Sequence, residues 1–418
     1  MLEAWYLTHR EQSIEKQSTY RGLTLHVLQV TPYYPPTWAY GGIPRIVYGL
    51  SRALVTAGTT VSVWTTDALD ESSRSKVPTH RVDEGVNVFV SKNLSNRLAY
   101  GQQLFLPLNY RAALESVGPV DLIHLHGHRH LLNNAAIGFA KRHNIPWVMT
   151  PNGTLPRHEN KVAPKAIWDA LIANRVPAGA SKMIAVSGVE VGQMRRAGIP
   201  QDKIAQIPNG LTLEEFSNLP QKGSFRNKYK IKGPIVAYLG QISPRKGVSH
   251  LVEAFRDHNM MGATLVVGGN DMGAMAQAKS IASTVSGERV IFTGLLEGDD
   301  RLALLVDADV LVYPSTDEIF GLVPFEGLLC GAPVVVGGDC GCGQLIQQAG
   351  AGLLVKHADV EGLRDRILTL LGDRVAAEAM VNRGKSYINS NLGFSKIAQD
   401  HIALYNAVLD RHNKERKI

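Results

Sequence analysis

Two glutamates eight positions apart bracket a turn in the stretch Pro314-Ser315-Thr316-Asp317-Glu318-Ile319-Phe320-Gly321-Leu322-Val323-Pro324-Phe325-Glu326. Pro324 suits the first turn of a helix, where its missing N–H costs nothing. Unpaired N–H groups around Gly321 and Leu322 would then point outward from a helix start, a ready site for phosphate or sugar oxygens. Glu318 precedes the turn and Glu326 lies within the helix, so both carboxylates can face one ligand. A carboxylate accepts two hydrogen bonds from a vicinal diol, and a ribose and a hexose each offer one. The plainer alternative makes Glu318 a solvated loop carboxylate and Glu326 a charge favoured by the helix dipole.

Other stretches carry weaker signals of the same kind. Gly240-Gln241-Ile242-Ser243-Pro244-Arg245-Lys246-Gly247 is a loop with two cations, and fixed cations stabilise a diphosphate leaving group as its charge grows. Tyr40-Gly41-Gly42-Ile43-Pro44 opens a helix, where glycines let a ligand approach the backbone, although a Gly-Gly pair is also ordinary turn chemistry. The run His124-Leu125-His126-Gly127-His128-Arg129-His130 invites a zinc reading, yet no carboxylate or thiolate partners stand nearby. A strand end explains it better, with His124 and His126 on one side. Asp307-Ala308-Asp309 mimics a divalent-metal motif but sits where a helix hands over to a strand, and is read as a boundary. Thr150-Pro151-Asn152-Gly153, Ser187, Asn209-Gly210, Gly294-Leu295 and Gly341-Cys342-Gly343 are, taken singly, turns. No Ser/His/Asp nucleophile set is evident.

These residues need strand ends and helix starts to position them. Short apolar runs at Leu25–Val30, Thr60–Thr66, Val86–Val90, Leu122–His126, Trp147–Thr150, Met183–Ser187 and Ala205–Pro208 alternate with helical stretches such as Ile43–Ala57 and Leu131–Arg142. That alternation predicts a parallel sheet covered by helices. Residues 213–233 lapse into polar sequence with Pro220, Gly223 and clustered lysines, which reads as a linker. A second set follows at Ile235–Leu239, Ala263–Val267, Val290–Thr293, Val310–Tyr313, Pro333–Val336 and Gly352–Val355. The expected plan is a polar leader over 1–21, an α/β domain over 22–212, a second over 234–394, and a helix over 395–418 packing back on the first. Both domains are expected to be doubly wound, and ligands of such sheets bind outside the carboxyl ends of the strands.

The string from Glu318 to Glu326, continued by Cys330-Gly331-Ala332-Pro333-Val334-Val335, resembles the Glu-x7-Glu signature of retaining glycosyltransferase family four. The resemblance covers nearly the whole chain after residue 22. It implies the GT-B architecture, two Rossmann-like domains facing across a cleft, with a nucleotide-sugar donor held by the second. By that resemblance Glu326 binds the ribose hydroxyls, Glu318 the hydroxyls of the donor sugar, and Phe320, Gly321 and Leu322 lend backbone N–H groups. Lys246 matches the lysine that faces the diphosphate. The family usually has arginine directly after the first glycine, where this chain has Gln241; Arg245 sits at a variable position and is a candidate to compensate. Gly41 and Gly42 face the donor diphosphate or the acceptor, His126 contacts the donor sugar, and Leu295 reads the nucleobase through its backbone. Asn152, Ser187 and Asn209 are candidates for the acceptor side. Gln344 replaces a glutamate common in the family, so no carboxylate role transfers there.

The implied activity is transfer of a hexosyl-type unit from a nucleoside diphosphate sugar to a hydroxyl of a glycan, lipid-linked or small-molecule acceptor. Anomeric configuration is retained and neither metal nor cofactor is needed. The pathway classes are polysaccharide, lipopolysaccharide and glycolipid assembly. Rival readings are a sugar-phosphate synthase, a nucleotide-sugar epimerase, or a nucleotide-sugar-binding protein without turnover, which Gln241 keeps open.

Bulk properties agree with such an enzyme. A chain of 418 residues exceeds what one core supports, and 44% hydrophobic with 19% charged residues is ordinary for a globular protein. The net charge of +7 favours anionic partners. Its cations are scattered without interleaved aromatics, which argues against nucleic acid. No apolar run has the ~20 residues of a membrane span, and the first residues are too polar for a signal peptide, so a cytoplasmic protein is expected. The basic tail Arg411–Lys417 offers a peripheral contact with an anionic inner-membrane surface, against the plainer reading of a solvated charge run. Cys330, Cys340 and Cys342 are an odd set near one loop, which fits reduced thiols.

Overall fold

The computed structural model describes residues 19–20, 23–37, 42–102, 104–128, 130–155, 177, 179–256, 260–285 and 289–416. Most of the expected leader lies outside them, as does Gly41. The chain divides into two compact units, residues 1–211 with 392–418, and residues 212–391.

After a short antiparallel pair, β1 (Thr19–Tyr20) and β2 (Leu23–Thr24), the first unit is built on eight strands. These are β3 (His26–Val30), β4 (Thr60–Thr66), β5 (His80–Asp83), β6 (Val86–Ser91), β7 (Leu122–His126), β8 (Trp147–Thr150), β9 (Lys182–Ala185) and β10 (Ile204–Gln206). Their order is β10-β9-β8-β7-β3-β4-β6-β5, parallel except for the antiparallel edge pair β5–β6. Sequence reading did not anticipate β5, whose four residues His-Arg-Val-Asp carry no apolar run. It also passed over the short helices Asn96–Gln102 and Tyr110–Ser116.

Side chains alternate across each strand, so the sheet has two apolar faces. Leu28 and Val30 join Trp64, Ile123 and Phe139 on one face. Val27 joins Leu50, Leu54, Val61 and Tyr405 on the other. Each such residue, fully buried, contributes about 1.5–3 kcal/mol relative to exposure. The second face is closed by two helices, Gly42–Thr56 and Phe394–Glu415; the latter supplies Ile397, Ile402, Tyr405 and Leu409.

The second unit carries β11 (Ile235–Leu239), β12 (Thr264–Gly268), β13 (Val290–Gly294), β14 (Val310–Tyr313), β15 (Val334–Gly337) and β16 (Gly352–Val355). All are parallel, in the order β13-β12-β11-β14-β15-β16. The order reverses direction between β11 and β14, and the loops leaving those two strands open the crevice where doubly wound sheets take ligands. In the first unit the equivalent switch lies between β3 and β7.

The segment expected as a linker, 213–233, is instead part of the second unit. Phe225 is 1% exposed. The Asp307 carboxylate accepts from the backbone N–H groups of Gly223 and Arg226. Asp309 accepts from the Ile235 N–H at 2.8 Å and from the Arg226 guanidinium at 3.0 Å. Asp307-Ala308-Asp309 therefore fastens that segment to the sheet, as its boundary position suggested. Among the described residues no helix is long and apolar enough to cross a membrane.

Candidate active site

The loops after β11 and β14 meet closely. The Thr316 N–H donates to the Arg245 carbonyl at 2.9 Å. Gly247 has φ 68°, and a Cβ there would lie 2.5 Å from the Pro314 carbonyl oxygen, so only glycine permits the approach. Lys246, in a single 3-10 turn over Pro244–Lys246, is thereby directed into the switch-point crevice with only 8% exposure.

There Lys246 forms an ion pair with Glu318 and donates to the Tyr313 hydroxyl at 2.7 Å. Tyr313, the last residue of β14, lies 3.2 Å from Glu318 Oε2 and donates to it. Burial, and next the negative charge of Glu318, hold the Tyr313 phenol well above its ordinary pKa, so it stays a neutral donor. The Glu318 backbone carbonyl accepts from the Gly341 N–H at 2.8 Å, which ties the loop to the start of the helix Gly341–Ala349. That helix is capped by Cys340, whose sulfur accepts from the Gly343 N–H at 3.3 Å. The Cys340 and Cys342 sulfurs are 3.1 Å apart, both buried thiols. Burial pushes the Cys342 thiol well above its usual range, which marks it as structural and not as a nucleophile.

The motif turns into a helix over Val323–Cys330 with Pro324 in its first turn; the Phe325 and Glu326 N–H groups already donate to the Leu322 carbonyl, so the N–H groups without intrahelical acceptors are those preceding Pro324. Gly321 has φ 76°, and a Cβ there would sit 3.0–3.2 Å from Cys342, Tyr313 and Glu318 atoms. Phe320 is buried with its ring 5.4 Å from that of Phe325. Glu326, 8% exposed, is paired with Arg301 at 2.5 Å. Arg301, on the helix Gly298–Asp307, also reaches Glu215 at 3.4 Å. Sequence reasoning missed both Tyr313 and Arg301. Removing Arg301 leaves a nearly buried carboxylate unpaired, so Arg301→Ala is expected to cost about 3 kcal/mol in denaturant unfolding of the chain. Arg301→Lys should recover part of that loss.

Gln241 is exposed, its carbonyl bound by the Tyr238 hydroxyl at 2.7 Å. The Arg245 side chain is also exposed. Leu295 is 62% exposed beyond the end of β13.

In the first unit the candidates are placed differently from one another. Gly42 opens the helix Gly42–Thr56, and a Cβ there would meet nothing within 4 Å, so packing does not demand the glycine. His126 departs from the expected role of facing a sugar: it is 1% exposed, with Nε2 bonded to the Gln29 side chain. Its backbone carbonyl takes His130 Nε2 at 2.7 Å. His124 bonds Tyr405 and Thr150 through its two nitrogens, each at 2.7 Å. The His124 and His126 rings are 4.0 Å apart, and His124 is 5.5 Å from His401. Burial dominates all four rings: His124 is driven well below its ordinary pKa, His126 to about 3, and His130 and His401 to about 4. They are neutral core histidines. No group of three or more metal-ligating side chains occurs among the described residues.

Ser187 is spent as the cap of the helix Gly188–Arg196, accepting from the Glu190 N–H at 3.3 Å. Glu190, which sequence reading passed over, is buried and accepts from the N–H groups of Gly153 at 2.7 Å and Val186 at 2.8 Å. It thus holds the loop containing Asn152, which itself has φ 51°. Asn209 is half-buried and lines a small cavity with His126, Thr150 and His401 that leaves only about 10 Å³ for the centre of a water.

Two parallel-sheet α/β units of this kind define the GT-B class. Solved structures agree on the fold. Sucrose-phosphate synthase from Thermosynechococcus elongatus matches with a TM-score of 0.70 and 22% identity, over 93% of this chain and 100% of that one. Anabaena Alr3699/HepE in complex with UDP matches with a TM-score of 0.71 and 18% identity, over 92% and 99%. The Mycobacterium tuberculosis glycogen synthase is 26% identical over 414 residues, 91% of this chain and 94% of that protein. The family model Glycosyltransferase Family 4 matches residues 40–215, and Glycosyl transferases group 1 matches residues 221–387. The chain belongs to the group 1/family 4 glycosyltransferases, a retaining family, and transfers a sugar from a nucleotide-sugar.

Proposed function

We propose that this chain moves a hexosyl unit from a nucleoside diphosphate sugar to a hydroxyl acceptor with retention of configuration and without a metal. The observation that supports the reading best is the meeting of Lys246 and Glu318 at the switch point of the second sheet. A cation and a carboxylate set side by side fit a ligand that is anionic at one end and rich in hydroxyls at the other.

In this reading the donor separates the pair. Lys246 turns to the diphosphate and stabilises the charge that grows as the sugar–phosphate bond breaks. Glu318 accepts from sugar hydroxyls, Glu326 from the ribose, and N–H groups at Phe320, Gly321 and Leu322 take the remaining oxygens. The leaving phosphate oxygen takes the acceptor proton on the same face, so no protein nucleophile is required. The side chains of Asp307 and Asp309 are committed to backbone N–H groups and Arg226, so that motif has little left for a metal. Within the first unit, Asn152 and Asn209 are the residues proposed for the acceptor, and Gly42 for the donor diphosphate. Glycan, lipid-linked and small-molecule acceptors all fit this chemistry, in polysaccharide, lipopolysaccharide or glycolipid assembly.

Thermal-shift titration with UDP-, GDP- and ADP-sugars identifies the donor. UDP-glucose is the first to try, since Anabaena Alr3699/HepE was also solved with it. With the donor known, NMR of the product anomer is expected to report retention, and an inverted product would remove the mechanism. Donor binding with neither transfer nor hydrolysis would instead favour the binding-protein reading that Gln241 raises.

A further inference from the structure

Tyr313 has no place in the motif that points to Lys246 and Glu318, yet its hydroxyl touches both. It lies 2.7 Å from Lys246 Nζ and 3.2 Å from Glu318 Oε2. A phenol has one proton to give and lone pairs to receive, so it accepts from the ammonium while donating to the carboxylate. The ring is 4% exposed and stacked on Tyr238, with centroids 6.4 Å apart and planes 11° from parallel. Lys246 and Glu318 are long side chains on loops, whereas Tyr313 ends a central strand and cannot swing. The hydroxyl is the fixed point of the cluster.

We propose that Tyr313 is a positioning residue for sugar transfer, a pivot that keeps one hydrogen bond to Lys246 and one to Glu318 when the donor separates them. The inference rests on the reading of this pair as the donor clamp. Without the hydroxyl, the ammonium and carboxylate keep only each other as side-chain partners among the described residues, and the donor must open that pair and orient two side chains that no fixed group guides. Hydrogen bonds to charged groups are worth about 1.5–3 kcal/mol, so loss of the pivot corresponds to roughly a ten- to hundredfold effect.

The test is Tyr313→Phe in the full chain, compared with Tyr238→Phe, which removes the neighbouring hydroxyl of the same stack. Three quantities are read: Tm, affinity for the nucleoside diphosphate alone, and kcat with the nucleotide-sugar. Tyr313→Phe is expected to keep Tm, to change diphosphate affinity less than about threefold, and to lower kcat roughly tenfold or more. Tyr238→Phe, which gives up one hydrogen bond to the Gln241 carbonyl, is expected to lower Tm slightly and to keep affinity and kcat within about threefold. In a Glu318→Gln background the Tyr313→Phe effect on kcat should shrink, because the pivot then has no carboxylate to hold. Wild-type kcat for Tyr313→Phe, full additivity with Glu318→Gln, or a fall in Tm large enough to account for the lost activity would each overturn the pivot. A wild-type chain that neither transfers nor hydrolyses any nucleotide-sugar would overturn the clamp reading instead, so the two failures are separable.

Discussion

Lys246→Ala is expected to lower kcat about a thousandfold while leaving the fold intact, the size of effect seen when a preorganised transition-state donor is removed. Lys246 is the cation directed into the crevice, and Gln241 provides no charge where the family commonly has one. In the proposed reading Lys246 is the buried cation on the phosphate side of the site. Arg245 is the control. Its side chain is exposed, although its backbone carbonyl ties the two loops together. If Arg245 lends charge to the diphosphate, Arg245→Ala should raise the donor KM several-fold and make the rate more salt-sensitive. If Arg245→Ala turns over like wild type while Lys246→Ala is dead, Arg245 does not compensate for Gln241.

The second large effect is on stability in acid. His124, His126, His130 and His401 are buried and neutral, with folded-state pKa values below the ordinary 6.5. In the unfolded chain each titrates near that ordinary value, so between pH 6.5 and about 4 the unfolded state binds more protons than the native one. Stability is therefore complete above pH 6.5 and falls as the pH drops through this window. Each histidine adds a slope of about 1.4 kcal/mol per pH unit. Thermal unfolding from pH 7.5 to 4.5 should show a steep fall in Tm beginning near pH 6.5, with proton uptake on unfolding. A flat Tm down to pH 5 would mean that the rings are already protonated or exposed.

The parts of the fold legible in the sequence are those whose signal is local. Strands such as Ile235–Leu239 are buried on both sides and show as unbroken apolar runs. Glu318, Glu326 and Lys246 stand out as candidates because their motifs are contiguous along the chain. Tyr313 and Arg301 were not, because each acquires its role from a partner brought near only by folding; in the sequence they are an ordinary strand tyrosine and an ordinary helix arginine. The linker reading of 213–233 failed for a related reason. Polar composition gives no hint that Phe225 is buried or that Asp307, some eighty residues later, caps the segment. His126 shows the limit of strand alternation: the rule puts it on the same side as His124 but does not say which face of the sheet that is.

The discontinuity of the first unit bears on the order in which the protein is made. Residues 212–391 form one uninterrupted stretch and can close as soon as they leave the ribosome. The unit begun first must wait. Its sheet lacks one cover until the helix Phe394–Glu415 arrives, and until then His124 has no Tyr405 to bond. During synthesis the side of Leu50, Leu54 and Val61 that meets this helix stays open for the time taken to translate a whole second unit. The half of the enzyme translated first is thus the half whose core is completed last.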